Sequence, residues 1–246
     1  IVLDEVDSTN TYAKRLIQQH LSGEPEQCLS EELSGTAIVA NKQLQGRGRG
    51  GNQWVAVENN SLTFSLIIEP GSTKSHWAKF SLSTGVALTE VLAKYGACPK
   101  IKWPNDIYLN HAKVAGILIE SLGDSVVIGV GIHVRAADYS AEMKRSSVVP
   151  PTSLEQSGFT VSRSQILCDS VSAILRWSSL CEHAFQSIRD KYKQACLLHG
   201  KNVSLTSLGK QRSGTMLGLD DTGGLILEDS EGVHVLHEAV EIRVVE

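Results

Sequence analysis

The sequence predicts an α+β fold, a mixed β-sheet flanked by helices and followed by a small β-barrel. Three observations predict it. Helical periodicity alternates with β-branched runs over residues 1–199, four short apolar strands crowd between 101 and 134, and after His199-Gly200 the texture changes to short strands between Gly and Asp turns. A boundary is therefore expected near 200, giving units 1–199 and 200–246. With 246 residues, 41% hydrophobic and 20% charged, the chain has the composition of an ordinary globular protein and not of a disordered, collagen-like or coiled-coil one.

In order along the chain, Ala13, Leu16, Ile17 and Leu21 follow helical spacing behind Asp7 and Ser8, either of which offers an N-cap oxygen. Residues 36–40 (TAIVA) form a short strand that runs into the glycine-rich loop NKQLQGRGRGGNQW. SLTFSLII (61–68) reads as a buried strand, and 75–95 as a helix turning Trp77, Phe80, Val91, Leu92 and Tyr95 to the core. A meander follows, with strands 101–103, 107–109, 113–120 and 126–134 separated by Pro104-Asn105-Asp106, Asn110-His111 and Gly123-Asp124. Beyond Pro150-Pro151, helices are expected over about 162–179 and 183–198.

Lys and Arg total 23 against 27 Asp and Glu, a net charge of -4, so no global positive field draws the chain to nucleic acid or to an anionic bilayer. No apolar run reaches the ~20 residues of a membrane span, and the first ten residues lack the pattern of a secretory signal. The five cysteines are odd in number and form no CxxC pair, which disfavours a disulfide framework and fits a reducing cytoplasm. The eight histidines show no HxxxH spacing, and no protein metal site is expected.

Four segments carry chemistry. In Gly46-Arg47-Gly48-Arg49-Gly50-Gly51, glycines let backbone N–H groups converge and arginines add planar forks for carboxylate or phosphate. The same text also reads as a mobile surface loop or an RGG-type single-strand contact. Lys113 precedes Val114-Ala115-Gly116, whose small residues leave room for a ligand, although a lysine at a strand entrance is commonly just solvated. Lys102-Trp103-Pro104-Asn105-Asp106 is hairpin punctuation or a source of donors and acceptors at strand ends. Ser8-Thr9-Asn10 is a helix cap or a binder of a ligand rich in C=O and N–H groups.

Taken as a set, DSTN (7–10), Gln43 with GRGR (46–49), Trp54, KWPND (102–106), KVAGI (113–117) and GVGI (129–132) resemble the biotin protein ligases. The resemblance spans about 125 residues in family order, and the C-terminal strands fit the family's SH3-like module. It implies a biotin/lipoate ligase-like, class II synthetase-like catalytic fold. It also implies ATP-dependent activation of biotin to biotinyl-5′-AMP, with Mg2+ accompanying ATP, and transfer to a lysine of a biotin carboxyl carrier protein. Bringing a carboxylate to an α-phosphate costs roughly 1 kcal/mol at 4 Å in water and about 4 at an effective dielectric of 20, so cations must offset it. By resemblance Arg47, Arg49 and Lys113 do so. Biotin contacts are expected from Ser8, Thr9, Asn10, Gln43, Arg47, Gly48, Arg49, Lys113 and Gly116, and nucleotide contacts from Arg49, Trp54, Asn105, Gly131 and His133. Asp106 is a candidate for the outer shell of Mg2+.

Two departures stand out: His133 where the family usually has Asn, and Asn52 where it usually has a further basic residue. No winged helix-turn-helix text precedes DSTN, so no DNA partner is expected from this chain, and dimerisation through a sheet edge is left open. Met143-Lys144 faintly echoes a biotinylation target and reads as solvated. The rival readings are a lipoate or octanoate ligase, which has no ureido ring to recognise, and a nucleic-acid-binding module built on the Arg-Gly loop.

Overall fold

The computed structural model describes residues 1–22, 32–71, 77–138 and 151–245; Cys28, the Met143-Lys144 pair and Pro150 lie outside the described residues. Seven strands form one sheet: β1 (Val2–Val6), β2 (Ala37–Gln43), β3 (Ser61–Ile68), β4 (Lys100–Lys102), β5 (Asp106–Leu109), β6 (Ala112–Leu122) and β7 (Ser125–His133). Their order is β1-β2-β3-β7-β6-β5-β4, with β1 parallel to β2 and every other neighbour antiparallel. The sheet is mixed, as expected.

The two faces of the sheet separate by alternation. On β3, Leu62, Phe64, Leu66 and Ile68 enter the main core with α2 (Ala78–Lys94), α3 (Arg163–Ser178) and α4 (Phe185–Ala195). Fully burying side chains of this size contributes about 1.5–3 kcal/mol each. The opposite face carries Thr63, Ser65 and Ile67, with Ile67 in a smaller cluster under α1 (Thr9–Ser22) together with Ala13, Leu16, Ile17 and Val127. Helix α1 covers only part of this face; the rest is a cleft. Leu21, expected on the buried stripe of α1, lies in the last turn and is 67% exposed.

Turns follow the local chemistry. Asn110 (φ 48°) and His111 (φ 65°) both occupy the left-handed region between β5 and β6, the geometry of a tight hairpin turn. Strand β1 was not expected from the sequence. Its five residues, two of them acidic, form an edge that pairs with β2 alone.

Beyond α4, β8 (Asn202–Ser207), β9 (Lys210–Leu219), β10 (Leu225–Asp229), β11 (Gly232–Leu236) and β12 (Val240–Val244) form an antiparallel sheet in the order β11-β10-β9-β8-β12. Register shifts between Ile226 and Leu227 and between Val240 and Arg243 interrupt its ladders, consistent with a coiled SH3-like module; no ladder joins β11 to β12 among the described residues. Val203, Met216, Leu225 and Ile242 belong to the same apolar core as the first sheet. At this junction Trp103 Nε1 donates to the Gly223 carbonyl oxygen at 3.3 Å.

Candidate active site

The cleft beside α1 holds about 720 Å3 of space, part of it open to solvent. Its floor is β6 and β7, one end is the N-terminus of α1, and its rim is the loop from Gln43 to Trp54. Among the described residues it takes in every residue the sequence nominated except His133.

Each side chain is placed by a local cause. Thr9 opens α1, and its N–H donates to Gln43 Oε1 at 2.8 Å while its hydroxyl lies 3.1 Å from the same oxygen. The oxygen at the helix start thus comes from Gln43, thirty-four residues away, and the Asp7 carboxylate is used by the Ser8 N–H and by Arg15. Asn10 is buried with its amide nearly spent: Nδ2 donates to Glu120 Oε2 at 2.9 Å, and Oδ1 accepts from Ser65 Oγ at 2.6 Å. Gly129 leaves space for it; a Cβ there would lie 2.3 Å from Asn10 Oδ1.

Lys113 reaches the cleft through an irregularity. The β5–β6 register shifts between Ile107 and Tyr108, pairing Ile107 with Ala115 and Tyr108 with Lys113. A regular strand would put Lys113 on the face of the buried Ala115 and Ile117; the bulge turns it to the face of Gly116 instead. There Lys113 Nζ lies 2.9 Å from Asp106 Oδ1 and 5.6 Å from the centre of the Trp54 ring. Trp54 fits because β7 is bare: a Cβ on Gly131 would meet its indole at 2.2 Å. The indole stacks on His133, centroids 4.7 Å apart and planes 10° apart. His133 is therefore fully buried behind Trp54 and does not line the cleft. Asn105 lines it with a committed side chain, Nδ2 donating to the Ile117 carbonyl at 2.8 Å.

The loop is a tight hairpin. Gly48 N–H donates to Asn52 O at 2.7 Å, Asn52 Nδ2 donates to Arg49 O at 2.9 Å, and a Cβ on Gly46 would strike the Trp54 carbonyl oxygen at 2.4 Å. Asn52, in place of a cation, thus closes the turn that carries Arg49. The arginines part company. Arg47 Nη2 pairs with Glu120 Oε2 at 2.8 Å, whereas the charges acting on Arg49 are those of Asp106 and of Glu238 in the β11–β12 connection. Crowding by protein lowers the Arg49 pKa against those two carboxylates, but a guanidinium stays charged near neutrality. Glu120 and Gly116 are four residues apart on β6, about 13 Å at ~3.3 Å per residue. The cleft therefore has two charged stations, Arg47 with Glu120 and Lys113 with Asp106 and Arg49.

Against this geometry, residues 3–135 match the biotin/lipoate A/B protein ligase family model, more than half of the chain. The chain belongs to the biotin/lipoate A/B protein ligase family. Residues 198–241 match the biotin protein ligase C-terminal domain. The chain is 30% identical over 250 residues to a biotin–[acetyl-CoA-carboxylase] ligase of Paracoccus denitrificans, covering 97% of this chain and 98% of that protein. It is 34% identical over 215 residues to the bifunctional ligase/repressor BirA of Bacillus spizizenii, covering 83% of this chain. The match spans 65% of that relative's length. Among solved structures, the Aquifex aeolicus biotin protein ligase in complex with biotin and ATP superposes with a TM-score of 0.82 at 28% identity, over 100% of this chain and 98% of that one.

Thr63 and Gln53 line the cleft without having been singled out from the sequence, and neither were Ser65 and Glu120, which bond to Asn10 behind the lining. Ser61, Thr63 and Ser65 alternate through an otherwise apolar strand, a polar stripe of period two that marks the cleft face. Lys102 faces Asp106 across the β4–β5 ladder; burial lowers its pKa and the nearby Asp106 opposes that. Outside the cleft lining, Asp229, Glu231 and His234 group within 4.8 Å, an arrangement that could hold an ion and that their sequence spacing did not signal.

Proposed function

We propose that this chain activates biotin with ATP and passes the biotinyl group to a carrier-protein lysine. One observation carries the reading: polar groups suited to a neutral cyclic urea, from Ser8, Thr9 and Gln43, share a cleft with Lys113 and Arg49. The family membership and the Aquifex structure's biotin and ATP support it. A biotin carboxylate oxygen attacks the α-phosphorus of ATP as the bond to pyrophosphate breaks. The carrier lysine's neutral amine then attacks the acyl carbon, AMP leaves, and the nitrogen gives up a proton. No covalent enzyme intermediate is required.

Lys113 and Arg49 offset the charge gathered where carboxylate and α-phosphate meet. Arg47 joins them when it leaves Glu120. Ser8, Thr9 and Gln43 present donors and acceptors to the ureido ring, with the Gly48 and Gly116 backbones beside the ligand; Asn10 orients this set. Trp54, Asn105 and Gly131 shape the nucleotide side, and His133 supports Trp54 from behind. Mg2+ enters with ATP, bound by phosphate oxygens and water; Asp106, already paired with Lys113, is suited to its outer shell. Residues 1–199 form the catalytic unit and 200–246 an accessory one. The partner is a carboxylase's biotin carboxyl carrier domain, met in the cytoplasm, and a homodimer is compatible with the open β1 edge.

Pyrophosphate exchange with biotin, lipoate and octanoate tests the reading. Exchange with biotin alone is expected, followed by covalent label on a carrier domain when labelled biotin and ATP are supplied. Exchange only with lipoate would overturn the assignment. For the nucleic-acid reading, salt-sensitive binding of single strands, with no effect of biotin on Tm, is the contrary result.

A further inference from the structure

Glu120 lies at the end of β6 away from Lys113, and its side chain is only 20% exposed. Three groups from two other segments converge on it. Lys14 Nζ of α1 donates to Oε1 at 2.7 Å; Asn10 Nδ2 of α1 and Arg47 Nη2 of the glycine loop donate to Oε2 at 2.9 and 2.8 Å. Burial pushes the Glu120 pKa up, but the Lys14 and Asn10 hydrogen bonds and the Arg47 charge more than offset it, so the carboxylate stays ionised.

An ionised carboxylate only accepts hydrogen bonds, and that fact propagates. Asn10 must turn its NH2 toward Glu120, which leaves Oδ1 facing Ser65. Oδ1 accepts only, so the single Ser65 proton goes to it at 2.6 Å. With that proton spent, the Ser65 oxygen can only accept, so the Thr9 hydroxyl has two acceptors for its proton, Ser65 Oγ at 2.7 Å and Gln43 Oε1 at 3.1 Å, and either one uses it. With its proton so used, Thr9 offers lone pairs to the cleft, and Gln43 Oε1 keeps the Thr9 N–H as its donor. One charge sets the direction of the Asn10 and Ser65 protons.

We propose that Glu120 is a positioning residue that, through Asn10 and Ser65, fixes which cleft atoms accept and which donate, and so sets the preference for a ligand that brings N–H groups. The inference rests on the ligase reading and deepens it.

The test compares Glu120→Gln, Ser65→Ala and Lys14→Met in biotin-dependent ATP–pyrophosphate exchange, with melting curves to establish folding. Glu120→Gln can donate as well as accept, so the proton order is lost; KM for biotin is expected to rise about tenfold or more, with KM for ATP within about twofold. Ser65→Ala breaks the chain without touching Arg47 or leaving a charge, and is expected to raise KM for biotin alone, about fivefold. It carries the test should Glu120→Gln not fold. Lys14→Met is expected to leave both KM values within about twofold. An unchanged biotin KM in Glu120→Gln and Ser65→Ala, equal rises in both KM values, or a Lys14→Met loss matching Glu120→Gln would each overturn the positioning role. A wild-type chain that shows no exchange with biotin overturns the ligase reading itself, a result separable from the others because it needs no variant.

Discussion

At the residue scale, Lys113 and Gly131 show how much depends on single positions. Lys113 is held by one carboxylate and one aromatic face, at a spot where its cation faces the proposed site of charge development. Lys113→Met keeps the bulk and removes the charge, so adenylate formation is expected to fall about 10²- to 10³-fold while the Tm moves little. Pyrophosphate exchange measures the first and circular dichroism the second; an unchanged rate removes Lys113 from the mechanism. Gly131 is a steric matter. Its missing Cβ is where the Trp54 indole lies, 2.2 Å away, and the fully buried His133 behind leaves the ring nowhere to retreat. Gly131→Ala is expected to cost about 1–3 kcal/mol and to move Trp54 into solvent. A red shift in tryptophan emission with a lowered Tm is the expected reading, and wild-type values in both would contradict the packing argument.

At the element scale, legibility in the sequence followed how local each signal was. Helix α2 and strands β3 and β7 were visible because their apolar patterns run for eight residues or more. Strand β1 was not, because Val2–Val6 draws its identity from pairing with residues thirty-seven positions away. The cleft was legible as motifs but not as geometry. Lys113 needed a bulge to face it, Glu120 passed unmarked as the last residue of the expected strand 113–120, and His133 was placed behind Trp54 by a stack no spacing encodes. The tip of the glycine loop is held by backbone bonds more than by side chains: Gly50 (φ 62°) and Gly51 (φ 79°) sit in the left-handed region, and the side chains around them are largely exposed. Its amides are expected to exchange quickly in the free protein and slowly with biotin and ATP bound. Equal protection in hydrogen exchange with and without ligand would rule out ordering by the ligand.

At the scale of the whole molecule, acid and heat test how the parts are joined. Asp7, Glu120 and Asp220 all have pKa values lowered below the ordinary carboxylate range: Asp7 by the Arg15 hydrogen bond, the other two by bonds that outweigh burial. Unfolded carboxyls take up protons at higher pH than these folded ones, so their contribution is complete above about pH 4.5 and is lost as pH falls below it. Urea midpoints should hold steady from pH 7 to 5 and drop below 4.5; a steady midpoint at pH 3.5 would contradict the linkage. Heat asks whether the two sheets are separate. Residues of both share one apolar core, Trp103 Nε1 donates to Gly223 O at 3.3 Å, and Gly223 (φ 93°) puts its turn where a Cβ would meet Leu82 at 2.8 Å. Exposing that junction would strand buried surface on both sides, so calorimetry is expected to show one cooperative transition, not two. Gly223→Ala strains the backbone by roughly 1–2 kcal/mol and should lower that single Tm by a few degrees. Two resolved transitions, with only the smaller displaced by the substitution, would mean that the sheets fold independently.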